Sequence, residues 1–230
     1  MPIFEFGLGC AECAMGRLAW NADRDTIGLH RLTQAAGATS RMDRLIILDR
    51  DGVINQDSDA YIKSLDEWHP LDGAVDAIAK LNHCGWTVAV ATNQSGIARG
   101  YYTLDTLNAI HDRMSLLIQK AGGYLAAIEY CPHLPSDECA CRKPKPGMLT
   151  NIIDHLRTDE DADRWMVGDS LTDIQAGIAA RCRTVLVLTG KGSRFASEVR
   201  RRYPDTWICH DLAAFAERLI SESRPSVGEN

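Results

Sequence analysis

Six short apolar runs, separated by stretches with helical periodicity, constrain the fold more than any other feature of this sequence. The runs predict strands at residues 44–49, 86–93, 125–131, 165–169, 184–189 and 206–211. Helical patterns lie at residues 74–83, 103–121, 146–156, 171–180 and 212–221. Near-continuous apolar strands joined by helices are typical of a sheet that is covered on both sides. The sequence therefore predicts an α/β fold with a Rossmann-like parallel sheet and helices on both faces.

The length and composition are those of one ordinary globular domain. The chain has 230 residues, of which 45% are hydrophobic, enough for one well-buried core. Residues 1–42 contain an isolated C-x-x-C pair, Cys10 and Cys13, and no clean helical or strand period. We therefore divide the chain into an N-terminal extension of uncertain structure (1–42), one domain (43–222) and a flexible polar tail (223–230).

The charge and the hydrophobic pattern exclude two classes of partner. The formal net charge of −6 opposes binding to nucleic acid or to an anionic membrane surface. No apolar run approaches the roughly 18 to 20 residues that span a bilayer, and the N-terminus lacks the pattern of a signal peptide. We expect a cytoplasmic protein that binds neither nucleic acid nor membrane and acts on a small molecule, most simply as a monomer.

Polar residues stand where three of the predicted strands end. Asp49 and Asp51 follow the first strand, Thr92 and Asn93 end the second, and Asp169 ends the fourth. The carboxyl ends of parallel strands form the ligand crevice of such a sheet. Two carboxylates at the end of a buried strand are costly unless a cation or a reaction uses them. A calcium loop is a poor alternative, because its twelfth position requires glutamate and residues 49–60 end in alanine.

Four motifs in fixed order resemble those of the haloacid dehalogenase superfamily of phosphatases. They are DRDG at 49–52, TNQSG at 92–96, CRKPKPG at 141–147 and GDSLTD at 168–173. The resemblance covers residues 44 to 190 and implies a phosphatase domain over 43–222. The connections after the first two predicted strands each hold only one loop and one helix, so the domain is expected to lack a cap.

The resemblance also implies roles for the acidic residues. Asp49 would attack phosphorus and form an aspartyl phosphate, and Asp51 would act as general acid and base. Mg²⁺ would be held by Asp49, the backbone carbonyl of Asp51 and Asp169. Asp173 would support this site by holding a metal-bound water or by orienting Lys143, unless it is an ordinary first-turn helix residue.

Phosphate contacts follow from the same resemblance. Thr92 and the backbone amides near Arg50 and Asn93 would bind phosphate, and Lys143 would supply positive charge to the transition state. Arg142 directly precedes this lysine, and its planar fork suits a second phosphate of a bisphosphate sugar. Alternatively, Arg142 pairs with a nearby acidic side chain and only braces its loop.

A second constellation predicts a metal-stabilised loop. Cys131, His133, Cys139 and Cys141 form the pattern C-x-H-x5-C-x-C, with four ligands of zinc type in eleven residues. Because the protein fills all four positions, we predict a closed, structural Zn²⁺ site. The simpler alternative is a set of free cysteines beside a surface histidine. A zinc-stabilised loop would fix the aim of the two basic residues that follow it.

Within the superfamily, the motifs resemble those of the heptose bisphosphate phosphatases. This implies magnesium-dependent hydrolysis of the C7 phosphate of a small phosphorylated sugar during synthesis of lipopolysaccharide-core precursors. A histidinol-phosphate phosphatase stays open, because the short zinc-loop spacing is typical of that group and Ser170 stands where a heptose enzyme can carry lysine. A non-catalytic zinc-stabilised binding protein is a third alternative, and the acidic charge opposes a DNA 3′-phosphatase.

Overall fold

The structure, a computed structural model, describes residues 42–222 and confirms the parallel α/β fold. The strands are Met42–Leu48 (β1), Thr87–Asn93 (β2), Ala127–Cys131 (β3), Thr158–Gly168 (β4), Arg183–Val187 (β5) and Trp207–Cys209 (β6). The helices are Ala74–His83 (α1), Leu104–Lys120 (α2), Gly147–His155 (α3), Leu171–Ala179 (α4), Gly192–Arg202 (α5) and Leu212–Glu222 (α6). The predicted extension, apart from Met42, and the predicted tail lie outside the described residues.

The six strands form one sheet in the order β3-β2-β1-β4-β5-β6, and all neighbouring pairs are parallel. The chain adds strands outward from β1 on one side and then returns to its other side with β4. In open α/β sheets the ligand crevice lies at this reversal of strand order, beyond the carboxyl ends of the strands. The topology therefore places the functional edge at the ends of β1 and β4.

Both faces of β1 are buried, which explains why its apolar residues run without interruption. Ile46 and Leu48 face a core that includes α1, α2 and α6. Leu45 and Ile47 face the opposite core, which includes α3 and α4. All four side chains are fully buried, as expected for the central strand of a doubly covered sheet.

Two elements differ from the sequence prediction. β4 begins at Thr158, earlier than predicted, because Thr158 pairs with Met42 of β1 and Asp163 pairs with Arg44, with an irregularity in register between the two pairs. Parallel ladders use backbone groups, so an exposed strand end does not require apolar side chains. Helix α5 was not predicted from the sequence, and it buries Ala196 and Val199 against the sheet.

The carboxyl edge of the sheet is left open by short connections. Residues 49–73 join β1 to α1, and residues 94–103 join β2 to α2, so the described chain carries no cap domain. No helix in the described range 42–222 is long and apolar enough to cross a membrane. Access to the edge is therefore controlled by loops rather than by a second domain.

Candidate active site

A cavity of about 330 Å³ lies at the carboxyl edge of the sheet and contains most of the predicted site residues. Those that line it are Asp49, Asp51, Thr92, Asn93, Arg142 and Asp169. Lys143 and Asp173 are buried and contact the carboxylate of Asp49 or each other. The structure thus brings together residues from four separate motifs.

Two glycines allow Asp169 to approach the end of β1. Gly52 and Gly190 both adopt positive φ, at 80° and 54°. A Cβ atom added to either would lie 2.2 Å from Oδ2 of Asp169, which is well inside van der Waals contact. These positions therefore require glycine for both backbone conformation and space.

Lys143 is a buried cation held by three oxygen atoms. Its Nζ lies 2.6 Å from Oδ1 of Asp173 and 3.0 Å from Oδ1 of Asp49, and it donates to the carbonyl of Ala91 at 2.7 Å. Burial alone would lower the pKa of Lys143, but the two carboxylates outweigh it and raise that pKa. Lys143 is therefore charged at neutral pH, and its ammonium group has a fixed position.

The carboxylates of Asp49, Asp169 and Asp173 lie close enough to share a cation, with ligand atoms within 4.8 Å of one another. Burial raises the pKa of Asp49 to about 7 despite the opposing charge of Lys143. Burial, together with the charges of Asp173 and Asp49, raises the pKa of Asp169 to about 8. One lysine does not compensate three carboxylates, so the cluster favours an additional cation.

The bonds within this cluster show which oxygen atoms are available to a metal. Asp49 Oδ1 contacts Lys143 and accepts from the Arg50 amide, and Asp169 Oδ2 accepts from the Lys191 amide at 2.8 Å. Within the described residues, the second oxygens of Asp49 and Asp169 accept no hydrogen bond. Hard carboxylate oxygens of this kind fit Mg²⁺. The carboxylate of Asp173 is occupied by Lys143 and Ser170.

Asp51 lines the same cavity but lies outside this cluster, and it is held by Arg50. The guanidinium donates to both carboxylate oxygens at 2.9 Å, and Asn55 and Gln94 each donate one further bond at 2.9 Å. Burial alone would raise the pKa of Asp51, but Arg50 and these amides together lower it. Asp51 is therefore ionised at neutral pH in the free protein. The Arg50 side chain is fully buried, so only its backbone faces the phosphate region.

Several buried polar residues that sequence reasoning missed fix this arrangement. Gln94 donates to Thr92 Oγ1 at 2.8 Å and accepts from the hydroxyl of Tyr102. His111 faces Arg50 at 3.4 Å, and burial, followed by the charge of Arg50, lowers the pKa of His111 to about 3. The only sequence signal was the position of Gln94 directly after the second strand.

The loop that carries the two basic residues is attached to the end of β2. Asn93 and Lys143 exchange two hydrogen bonds of 3.1 Å between the asparagine side chain and the lysine backbone. Arg142 donates to the carbonyl of His133 at 3.2 Å. This contact is with the cysteine–histidine loop, not with an acidic side chain, and the guanidinium borders the cavity.

The four predicted zinc ligands meet at one point. Cys131 Sγ lies 3.6 Å from both His133 Nδ1 and Cys139 Sγ. Cys141 Sγ lies 3.3 to 3.4 Å from the other three ligand atoms. A tetrahedral Zn²⁺ with bonds of about 2.3 Å to sulfur separates its ligands by roughly 3.8 Å, close to these distances. The cysteines are not disulfide-bonded, so the loop fits a metal.

Lys191 is a further cavity residue that sequence reasoning missed. It follows β5, and its ammonium group lies 2.7 Å from Oδ2 of Asp57, which belongs to the connection after β1. Both residues line the cavity that contains Asp49. The rule that strand ends form the crevice could have identified Lys191, because the predicted fifth strand ends just before it.

Comparison with known proteins finds relatives that match more than three quarters of the chain. Residues 140–215 match a family model described as HAD-hydrolase-like. A D-glycero-beta-D-manno-heptose-1,7-bisphosphate 7-phosphatase of Pseudomonas putida is 56% identical over 178 residues, which cover 77% of this chain and 99% of the relative. Its namesake in Pseudomonas aeruginosa is 55% identical, with 76% of this chain and 97% of the relative covered.

A solved structure has the same architecture. The crystal structure of D,D-heptose 1,7-bisphosphate phosphatase from B. bronchiseptica, complexed with magnesium and phosphate, superposes with a TM-score of 0.74. Its sequence is 51% identical, and the match covers 78% of this chain and 99% of that one. The resemblance inferred from the motifs is thereby confirmed.

Proposed function

The chain belongs to the family of D-glycero-β-D-manno-heptose-1,7-bisphosphate 7-phosphatases, and on this basis we propose how its site hydrolyses the C7 phosphate. The reaction is magnesium-dependent phosphoryl transfer on a small phosphorylated sugar. We place it in the cytoplasm, in the synthesis of lipopolysaccharide-core precursors. The observation that carries the function is the convergence of Asp49 and Asp169 in one cavity, with the buried Lys143 in contact with Asp49, in a chain 56% identical to such an enzyme.

Asp49 is the nucleophile in this proposal. Its Oδ1 is bound to Lys143 and to the Arg50 amide, which leaves Oδ2 to attack phosphorus. The bond from phosphorus to the C7 oxygen breaks, and an aspartyl phosphate forms. Water then attacks this intermediate, releases inorganic phosphate and regenerates the carboxylate.

Asp51 transfers the protons in both steps. It is ionised in the free protein, which is the state needed to accept a proton from the attacking water. To protonate the leaving C7 oxygen it first has to take up a proton, and the arrival of a phosphate dianion favours this because a nearby like charge raises a carboxyl pKa. Arg50 and Gln94 hold the side chain at the cavity wall throughout.

Magnesium would be held by the carboxylate of Asp49, by the free oxygen of Asp169 and, as the motif resemblance implies, by the backbone carbonyl of Asp51. When bound, it offsets the repulsion between the Asp49 carboxylate and the phosphate dianion. Asp173 supports the site through Lys143, which it contacts at 2.6 Å. Thr92 and the backbone amides near Arg50 and Asn93 would bind the phosphate oxygens, and Lys143 would stabilise the developing negative charge.

Zinc would be the structural ion of the loop formed by Cys131, His133, Cys139 and Cys141. The contact of Arg142 with the His133 carbonyl supports a role for this loop in aiming the guanidinium into the cavity. We propose that Arg142 binds the distal C1 phosphate of the bisphosphate, for which its planar fork is suited.

A comparison of three substrates tests the function. Purified protein with magnesium should hydrolyse β-heptose 1,7-bisphosphate with a higher kcat/KM than histidinol phosphate, and more efficiently than the α anomer. The Asp49→Asn variant should lose activity by several orders of magnitude, as expected when a nucleophile is removed. Faster turnover of histidinol phosphate would support the other zinc-loop phosphatase, and near-native activity of Asp49→Asn would contradict the aspartyl-phosphate mechanism.

A further inference from the structure

An ion pair between two loops lies in the wall of the cavity and has no role in the phosphoryl transfer described above. Lys191 Nζ lies 2.7 Å from Asp57 Oδ2 and 3.7 Å from Asp59 Oδ1. The Asp57 side chain is only 16% exposed, whereas that of Asp59 is 78% exposed. Lys191 and Asp57 therefore form the defined pair, and Asp59 adds a peripheral charge.

The backbone on both sides of this pair is fixed by the catalytic edge. The Lys191 amide donates to Asp169 at 2.8 Å, and Thr189 Oγ1 donates to the carbonyl of Gly52 at 2.6 Å. Gly190 lies against Asp169 at a distance that admits no side chain. The backbone that carries the Lys191 side chain is therefore fixed. Replacing this side chain leaves the hydrogen bond from the Lys191 backbone amide to Asp169 available.

The pair presents polar atoms to the cavity while its charges largely cancel. A carboxylate accepts hydrogen bonds from hydroxyl groups, and each hydroxyl of a sugar offers a donor. An unpaired carboxylate at the same place would repel a second phosphate and would attract a substrate that carries an ammonium group. The charge balance at Asp57 would therefore favour binding of a sugar bisphosphate over binding of an amine-bearing phosphate such as histidinol phosphate.

We propose that the Asp57–Lys191 ion pair is a specificity-determining element that favours hydroxyl-rich bisphosphates over amine-bearing phosphomonoesters. Asp57 accepts hydrogen bonds from the sugar hydroxyls, and Lys191 neutralises its charge so that a second phosphate is tolerated. The inference rests on the proposed function, because it concerns the sugar portion of that substrate. It adds a specificity contact contributed by the loops after β1 and β5, opposite the Arg142 loop.

The Lys191→Met variant tests this pair. Its kcat/KM for heptose 1,7-bisphosphate should fall about tenfold or more, chiefly through KM, because Asp57 then stands unpaired. Histidinol phosphate, measured as a substrate or as a competitive inhibitor through its Ki, should bind as well as before or more tightly. Equal losses of kcat/KM on both substrates, arising from kcat, would overturn the proposal. They would show that Lys191 only stabilises the position of Asp169.

A charge-neutral double variant distinguishes charge from contact. Asp57→Asn combined with Lys191→Met removes the unpaired carboxylate and should recover part of the lost affinity for the bisphosphate. No recovery would contradict the proposal. Lys63→Met is the matched control, because it breaks an exposed lysine–glutamate pair at 3.3 Å in the same connection and should leave both ligands unaffected. If the wild type fails to hydrolyse heptose bisphosphate, the proposed function fails, while the Ki for histidinol phosphate still tests the pair.

Discussion

Lys143 shows how a single buried side chain sets the electrostatics of the site. It contacts Asp49 and Asp173 directly, and the third carboxylate, Asp169, lies close to both. Burial is the main cause of the raised pKa values of Asp49 and Asp169, and the negative excess that one positive charge leaves among three carboxylates adds to it. A divalent cation and the proton therefore compete for the same oxygen atoms.

Magnesium affinity should depend on pH for this reason. The pKa values of about 7 for Asp49 and about 8 for Asp169 mean that both carboxyls are mostly protonated at pH 6 and mostly ionised above pH 9. Magnesium that binds at low pH must displace these protons. The magnesium affinity should therefore rise with pH, by about tenfold per pH unit for each proton displaced. Calorimetric titrations in buffers of different ionisation enthalpy measure the proton release. Equal affinity at pH 6 and pH 9 would contradict this account.

Arg142→Ala should discriminate between substrates with one and two phosphates. If the guanidinium binds the distal phosphate, kcat/KM for heptose 1,7-bisphosphate should fall by about 2 to 4 kcal/mol, and that for a simple monophosphate ester should change little. Arg113→Ala is a suitable control, because Arg113 also donates to a carbonyl, that of Leu65, but is exposed and does not line the cavity. Equal losses on both substrates would show that Arg142 only braces its loop.

At the scale of elements, the loop between β3 and α3 supplies contacts at the cavity that a cap domain would otherwise supply. It is held to the end of β2 by the Asn93–Lys143 exchange, and its cysteines pack beside Ile152 and other core residues of one sheet face. The loop is therefore attached to the hydrophobic core through its cysteines and to the cavity edge through Asn93. The conformation of this loop sets the direction of the Arg142 and Lys143 side chains. The sheet itself is stabilised by the hydrophobic cores on its two faces.

Loss of zinc should consequently affect activity more than stability. Cys139→Ser, or removal of the ion by a chelator, should lower kcat/KM more than tenfold but shift the unfolding temperature by only about 4 °C, roughly 1 kcal/mol for a domain of this size. Elemental analysis and thermal unfolding measure the two effects. Cys84→Ser, at an exposed cysteine outside the loop, is the control. Full activity in zinc-free protein would argue against the site.

At the scale of the whole molecule, few large apolar side chains are exposed among the described residues. They are Leu65, Tyr101, Leu104, Leu116, Tyr124 and Ile178, of which Leu104 and Leu116 lie on α2. Singly exposed apolar residues of this kind are normal on monomers.

We therefore expect a monomer in solution. Light scattering across a concentration series should give a constant mass equal to that of one chain, 25.4 kDa. A mass that rises with concentration would show self-association and would contradict this expectation, because a second copy would then cover part of the exposed surface.

The sequence by itself determined the strands, most of the helices and the residues at the strand ends. These signals are local, because a buried strand must be apolar and a parallel sheet brings its carboxyl ends to one edge. The positions of Asp49, Thr92 and Asp169 followed from that rule. The cysteine–histidine spacing likewise predicted a cluster that the fold brings together.

Only the tertiary structure decided which side chains pair within the site. Arg50 turns inward to bind Asp51, and Lys191 pairs with Asp57 in the cavity wall, although nothing in the local sequence relates Lys191 to Asp57. Helix α5 and the charged start of β4 form because the sheet offers them a surface or a backbone partner. Such pairings depend on which loops meet in space, and a periodicity that extends over a few residues carries no information about them.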